Sequence, residues 1–521
     1  MTWGSSRPLP IALLSIVIAI GIFFRVARLD YKVYWHDEVF TSIRAAGFVG
    51  EEVSEALYTA EIKRPDDLLR YQTLEPGRGW NETFYALSTH PEHPPLYYVL
   101  VRLWMNLFGT SIATIRSLSV VFSLLIFPVL YWLCLALFHS PAVGQMAIAL
   151  YAVSPFHVLY AQEARQYILW TLTTILSSLL LLRALDKDRP QEWMAYAGAI
   201  AMGFYTSLFS VLVCLAHAGY TVMRTSGRLN ATVLRFSLAI MAGVLLFIPW
   251  IGVVVKNWGA FQNKTAWVNF AYPIPLLAKL WGLHLSSTFV DMGLPLDHPY
   301  SLVTPIIVWV GVVIAFYRLI RIAPVRTWGF VVLLTVIPAI ALILPDLLMG
   351  GRRSASTRYF VPVLIGVLLA VAFLLAEGLA HPTARYRWGI RGLTAVVLTA
   401  SLLSCSISFQ SNTWWSKVVS YGVPRTAALV NPKPNPLIVV GLREVSLGNA
   451  IALSHFLEDH VRLILTQDST VPELPGDASD LFLYDPHDAL IQAFENDPQF
   501  MLQPLPHDNI YVITDTESSN R

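Results

Sequence analysis

The chain has 521 residues, of which 55% are hydrophobic and only 13% charged, about half the charge of an ordinary soluble domain at roughly 25%. That balance excludes a wholly soluble enzyme, a disordered chain, a disulfide-built scaffold and a nucleic-acid-binding protein. The net charge of +2 hides a division: residues 411–521 carry 6 Lys/Arg against 14 Asp/Glu, and the first 410 carry 30 against 20.

A bilayer core about 30 Å thick needs about 20 apolar residues per helical span. Runs of this kind lie near 11–28, 113–138, 142–159, 166–184, 193–208, 209–223, 236–254, 302–317, 328–347, 359–378 and 392–409. The first is longer than a signal-peptide core and has no small-residue cleavage site before Tyr31, so it is expected to stay as an anchor. The run 94–108 is short and carries Arg102 and Asn106, so it is expected to lie along the interface. Connections containing Arg183, Lys187 and Arg189, then Arg224, Arg228 and Arg235, then Arg318, Arg321 and Arg326, then Arg385, Arg387 and Arg391 are basic and expected to be cytoplasmic. The expectation is an all-α polytopic membrane protein of about eleven spans over residues 1–410. Its loops at 29–93, 160–165, 255–300 and 349–358 then face outward.

Between the first two spans, loop 29–93 holds 6 Lys/Arg against 12 Asp/Glu, with an amphipathic stretch at 51–62 that predicts a short surface helix. After the last span, residues 411–521 alternate β-like runs (437–440, 461–465, 481–484, 510–513) with helix-like ones (450–458, 487–495), which predicts a small extracytoplasmic α/β domain. Only Gly441 follows its first strand, so a nucleotide-binding loop is not expected there. Cys134, Cys214 and Cys405 lie far apart in apolar runs and support neither a disulfide framework nor a zinc site.

Chemistry-bearing residues gather at the outward ends of these spans. Asp37 and Glu38 follow the first span as an adjacent acid pair, able to supply a general base and its neighbour or simply to solvate the loop. Glu92-His93-Pro94-Pro95-Leu96 opens the interfacial helix, with His90 close by; this is either a plain helix start or a place where partial positive charge meets an anion. Glu163, Arg165 and Tyr167 stand in a very short loop between two spans, where ionisable groups are expensive and usually functional, although they could also pair as a helix-end salt bridge. Arg352, Arg353 and Arg358-Tyr359 form an outward basic cluster against the usual charge bias. The arginine fork matches phosphate, which points to an anionic ligand or to lipid headgroups, with Lys256 and Lys264 able to contribute. His217, alone within a span, is expected to be packed and hydrogen-bonded.

The acid pair at Asp37-Glu38, the His93-Pro94-Pro95-Leu96 start, the stretch from Ser154 through Gln162-Glu163-Ala164-Arg165-Gln166-Tyr167 and the outer Arg358-Tyr359 together resemble bacterial membrane glycosyltransferases of the GT-C fold. More narrowly, they resemble the family related to protein O-mannosyltransferases and the lipid A aminoarabinose transferase. The resemblance covers roughly residues 8 to 410. It implies transfer of a sugar, with inversion, from a polyprenyl-phosphate donor to an extracytoplasmic glycan, lipid or protein acceptor, in a bacterial inner membrane. By that resemblance Asp37 is the first catalytic acid, Glu163 the second, and Glu92-His93 an acidic and basic pair beside the donor phosphate. A divalent cation (Mg, Mn or Zn) there is a further option; some relatives have a histidine near the position this chain fills with Ser207.

A multispan transporter and a non-catalytic assembly scaffold are the rival readings. A transporter of this size should show paired hydrophobic halves with interrupted helices at matching positions, and none is evident. A scaffold gives no reason for acids and arginines gathered at one membrane face.

Overall fold

The computed structural model describes residues 9–505 and 509–516. They fall into two compact units: one of residues up to 29, 87–97 and 116–410, the other of residues 30–86, 98–115 and 411 onward.

The first unit is helical throughout. Each of the eleven apolar runs forms helix, and among the described residues seven helices are long and apolar enough to cross a bilayer, with an eighth if a bent pair counts as one span. The bent pair is Pro141–Ala152 and Pro155–Ala161, angled at 61°. The break falls at Ser154 because the residue before a proline is pushed out of the α region; Ser154 sits at φ −65°, ψ 118°. Helices α1 (Ile11–Val26), Pro190–Thr206 and Ser210–Arg224 have 16, 17 and 15 residues, at the short end for a span.

Burial sorts these helices. Val361–Ala380 is almost wholly enclosed, and Gly366 lets it approach Val325–Met349: a Cβ there would come within 2.0 Å of Thr335 Oγ1. Val303–Ile322 instead exposes Ile306, Ile307, Val310, Val313 and Ile314, an apolar surface that lipid tails solvate and water would not. At the 61° break the last carbonyls of helix Pro141–Ala152 would be orphaned. Buried Arg25 of α1 answers this by donating to Tyr151 O and Ala152 O, and to Ser123 Oγ at 2.8 Å, while Cys405 Sγ lies 3.2 Å from Val153 O. As expected, His217 is packed: its ring nitrogens lie 3.2 Å from Ser178 Oγ and 3.0 Å from Tyr196 Oη.

The second unit is built on a six-stranded sheet of order β1-β3-β2-β4-β6-β5. Its strands are β1 (Ile62–Lys63), β2 (Pro436–Gly441), β3 (Arg462–Thr466), β4 (Asp480–Tyr484), β5 (Phe500–Pro504) and β6 (Ile510–Asp515). β3, β2 and β4 run parallel, and β1, β6 and β5 are antiparallel additions. Leu437, Val439, Ile464, Leu481 and Leu483 form its core with Leu490 and Phe494 of helix Asp488–Asn496. β2, β3, β4 and β6 lie where the β-like runs predicted strands.

Two expectations need correction, and one further strand was not expected. The helix predicted over 51–62 stops at Leu57, because Ile62 and Lys63 pair with Ile464 and Leu463 of the distant β3. The helix predicted over 450–458 runs instead over Ser446–Ser454. β5 has no counterpart in the prediction, since its exposed residues and terminal proline give no β signal.

Helix α2 (His36–Ala46) ends at Gly47, whose φ of +93° is the left-handed conformation glycine favours. Buried Arg102, on helix Leu96–Phe108, donates to Ala45 O at 3.1 Å, Ala46 O at 3.0 Å and Arg78 O at 2.6 Å. A cation thus completes the C-terminus of α2.

Candidate functional site

Within the first unit the structure brings together five of the residues singled out from sequence. Glu163 and Arg165 lie in the turn between helices Pro155–Ala161 and Tyr167–Lys187, each 2% exposed. Gln162 holds the turn in place by donating to Phe24 O at 2.8 Å and Ala27 O at 2.9 Å at the end of α1. The Arg165 guanidinium lies 5.9 Å from the Tyr167 ring centroid, and Arg358 lies 5.4 Å from the same ring and 5.7 Å from Tyr359. Tyr359 packs on Phe209 with centroids 4.6 Å apart. Two cations thus lie against one tyrosine ring, an attraction between positive charge and the ring's electrons; a buried carboxylate stands two residues from one of them. Such a cluster can bind an anion through charge-assisted hydrogen bonds.

The segment before helix Leu96–Phe108 forms a second group. His90 Nδ1 lies 3.2 Å and His93 Nε2 3.7 Å from Glu92 Oε1, and Trp250 Nε1 anchors the segment by donating to Pro91 O at 3.2 Å. Both imidazoles address the same carboxylate oxygen. Among the described residues no group of three His, Cys, Asp or Glu side chains is disposed to hold a metal ion.

The remaining basic residues are placed differently. Arg352 donates to Trp267 O at 2.9 Å and Tyr272 Oη at 3.2 Å, with the Trp267, Phe270 and Tyr272 rings around it at 5.2 to 5.4 Å. Arg353 pairs with buried Asp346 at 3.2 Å and donates to Asn269 Oδ1. Both tie the 350–358 turn to the segment 267–272, a structural use of charges that the sequence presents as one cluster with Arg358. Gly351, at φ +137°, makes that turn possible, since a Cβ there would lie 2.7 Å from Asp346 Oδ1. Lys264 is exposed on helix Trp258–Thr265.

Sequence reading missed His284, which is buried with Nδ1 2.6 Å from Thr357 Oγ1 and Nε2 3.3 Å from Ser354 O. It braces the turn that leads into Arg358. Burial pushes its pKa down to about 3, so it is neutral. A single histidine in an aromatic-rich loop carries no sequence signal for this role.

In the second unit, Asp37 and Glu38 occupy the first turn of α2, where the helix N-terminus favours negative charge. Glu38 is fully buried and Asp37 partly exposed. Of the pair, Asp37 is the more accessible. Trp35, the residue before the helix, caps it with no side-chain hydrogen bond.

Residues 92–252 match the family described as dolichyl-phosphate-mannose-protein mannosyltransferase. No curated protein sequence matches the chain. Among solved structures, the chain is similar to ArnT from Cupriavidus metallidurans bound to undecaprenyl phosphate, at 14% identity and a TM-score of 0.54, covering 96% of this chain and 97% of that one. The apo form of the same ArnT gives the same values. The apo oligosaccharyltransferase of Archaeoglobus fulgidus is similar at 10% identity and a TM-score of 0.50, over 90% of this chain and 65% of that one. Both proteins are GT-C glycosyltransferases. The chain has the GT-C fold, a multi-pass membrane architecture with a small C-terminal sheet.

Proposed function

We propose that the chain is a membrane glycosyltransferase that takes a sugar from a polyprenyl-phosphate donor and passes it, with inversion, to an acceptor outside the cytoplasm. The observation that carries this reading is the Arg165–Tyr167–Arg358–Tyr359 cluster beside buried Glu163, within a fold shared over nearly the whole chain with a protein solved with undecaprenyl phosphate. The family match over 92–252 supports it independently.

The chemistry follows from these groups. As the bond from the anomeric carbon to phosphate oxygen breaks, negative charge grows on the departing lipid phosphate, and Arg358 and Arg165 stabilise it. Attack by the acceptor oxygen on the opposite face gives inversion. A hydroxyl acceptor must lose its proton, and Asp37 is the proposed base; an already ionised phosphate acceptor would need it only for orientation. Glu163 is the proposed second acid, and Glu92 with His90 and His93 the proposed group beside the donor phosphate. Localisation in a bacterial inner membrane, with residues 411–521 as a soluble domain outside the cytoplasm, belongs to the same proposal.

The test is incubation of the purified protein with a panel of polyprenyl-phosphate sugars, beginning with undecaprenyl phosphate mannose, followed by mass spectrometry of donor and products. Donor consumption with release of polyprenyl phosphate supports the reading. A vesicle assay in which the protein moves lipid or solute without breaking a glycosidic bond would favour a transporter instead.

A further inference from the structure

The first N–H groups of a helix lack partners inside it, and α2, which carries Asp37, begins without a Ser, Thr, Asp or Asn cap. The missing acceptor comes from far along the chain. The His36 N–H donates to Ser420 Oγ at 3.0 Å, Ser420 donates to Asn449 Oδ1 at 2.8 Å, and Asn449 Nδ2 donates to Asp485 Oδ2 at 3.2 Å. Asp485 also accepts from Arg443 at 3.2 Å and Asn509 at 2.8 Å. Every hydrogen bond in this relay points the same way and ends on a carboxylate, an arrangement in which each bond polarises the next. Ser420, Asn449 and Asp485 are all buried.

A second contact fixes the same helix start. The His36 ring reaches Val445 O with Nδ1 at 3.2 Å. A carbonyl cannot donate, so Nδ1 carries the proton. The ring fits only because residue 448 is glycine, where a Cβ would lie 2.3 Å from His36 Nδ1. Asp485 immediately follows β4, the residues between Gly441 and Ser446 join β2 to helix Ser446–Ser454, and all of these groups belong to the second unit.

We infer that the C-terminal α/β sheet is a positioning device for α2: Ser420, Asn449, Asp485 and the Gly448 notch hold the helix start, and thereby set the place of the Asp37 carboxylate. The inference rests on the proposed role of Asp37 as base. His36, Ser420, Asn449 and Asp485 are positioning residues and touch no substrate.

Two readouts test this on the full-length purified protein. In Ser420→Ala, hydrogen exchange of the amides at residues 36–40 should quicken by about 5- to 30-fold, the effect of losing one or two hydrogen bonds' worth of local stability, and this arm needs no donor. With undecaprenyl phosphate mannose or whichever panel donor turns over, kcat should fall by a similar factor while donor KM stays within twofold. Gly448→Ala should lower kcat at least as much, and adding His36→Ala should relieve that defect to the level of His36→Ala alone, because the obstructing ring is gone while its contact to Val445 O is lost in both. Unchanged exchange at 36–40 in Ser420→Ala overturns the inference, as does a Gly448→Ala defect that His36→Ala does not relieve. Asp37→Asn separates the two claims. If it retains full turnover, the base assignment fails and this inference falls with it; if it is inactive while Ser420→Ala keeps normal kcat, only the inference falls.

Discussion

Replacing Arg358 with alanine probes the proposed donor-phosphate cluster by truncating one side chain of the short helical turn Thr357–Phe360. Arg358 is partly exposed, and its guanidinium lies 5.4 and 5.7 Å from the Tyr167 and Tyr359 ring centroids, contacts that together contribute about 1 kcal/mol. Its larger effect is on a bound phosphate, where losing a charge-assisted hydrogen bond costs about 1.5 to 3 kcal/mol, equivalent to roughly 10- to 100-fold in Kd. Arg358→Lys keeps the charge but not the planar fork and should fall between wild type and alanine. The assay is binding of undecaprenyl phosphate to the detergent-purified protein, with melting temperature as the control for integrity. A Kd for Arg358→Ala within twofold of wild type would remove this arginine from the phosphate site.

Asp37→Asn should lower turnover on a hydroxyl acceptor by about 10² to 10⁴ with donor affinity unchanged, the pattern of an interaction made only in the transition state; Glu38→Gln should cost much less, and the reverse order in a turnover assay would swap their roles. Arg25→Met should destabilise the helical unit by about 3 kcal/mol, since it strips donors from Tyr151 O and Ala152 O at the buried break; an unchanged melting temperature would show the break to be satisfied otherwise. His284 binds no proton in the folded state until about pH 3, whereas the unfolded chain takes one up near pH 6.5, so its contribution to stability is lost as pH falls through 6.5. From pH 7 to pH 5 wild type should lose about 2 kcal/mol more than His284→Gln, and parallel pH profiles for the two proteins would contradict this. A reporter fused after Arg521 that is active only in the cytoplasm should stay silent; strong activity would refute the assignment of the C-terminus to the outside.

The helical unit was legible in sequence because lipid demands a physical signature, long apolar runs with basic residues at one set of ends, and that signature does not depend on partners. The four central strands, parallel β3, β2 and β4 with antiparallel β6, were legible for a similar reason, as short β-branched and aromatic runs. β1 was not, because two residues become a strand only through Ile464 and Leu463 some 400 positions away. At the candidate site, Glu163, Arg165 and Arg358 could be picked out by charge at the wrong place in a membrane protein, and Tyr167 and Tyr359 as their sequence neighbours. The same logic grouped Arg352 and Arg353 with Arg358, because sequence shows the charge but not Asp346 or the Trp267 and Tyr272 rings that engage it. The cap on α2 was invisible for the converse reason: the sequence signal for a capped helix is local, and here Ser420 supplies the acceptor from 384 residues away.

The central claim is that this chain breaks the bond between a sugar and a polyprenyl phosphate. The most direct measurement is mass spectrometry of undecaprenyl phosphate sugars incubated with the purified wild type and with Asp37→Asn. The account predicts loss of at least one donor and appearance of undecaprenyl phosphate with the wild type, and little or none with the variant. Intact donors across the whole panel, in a preparation that still binds undecaprenyl phosphate, would contradict it.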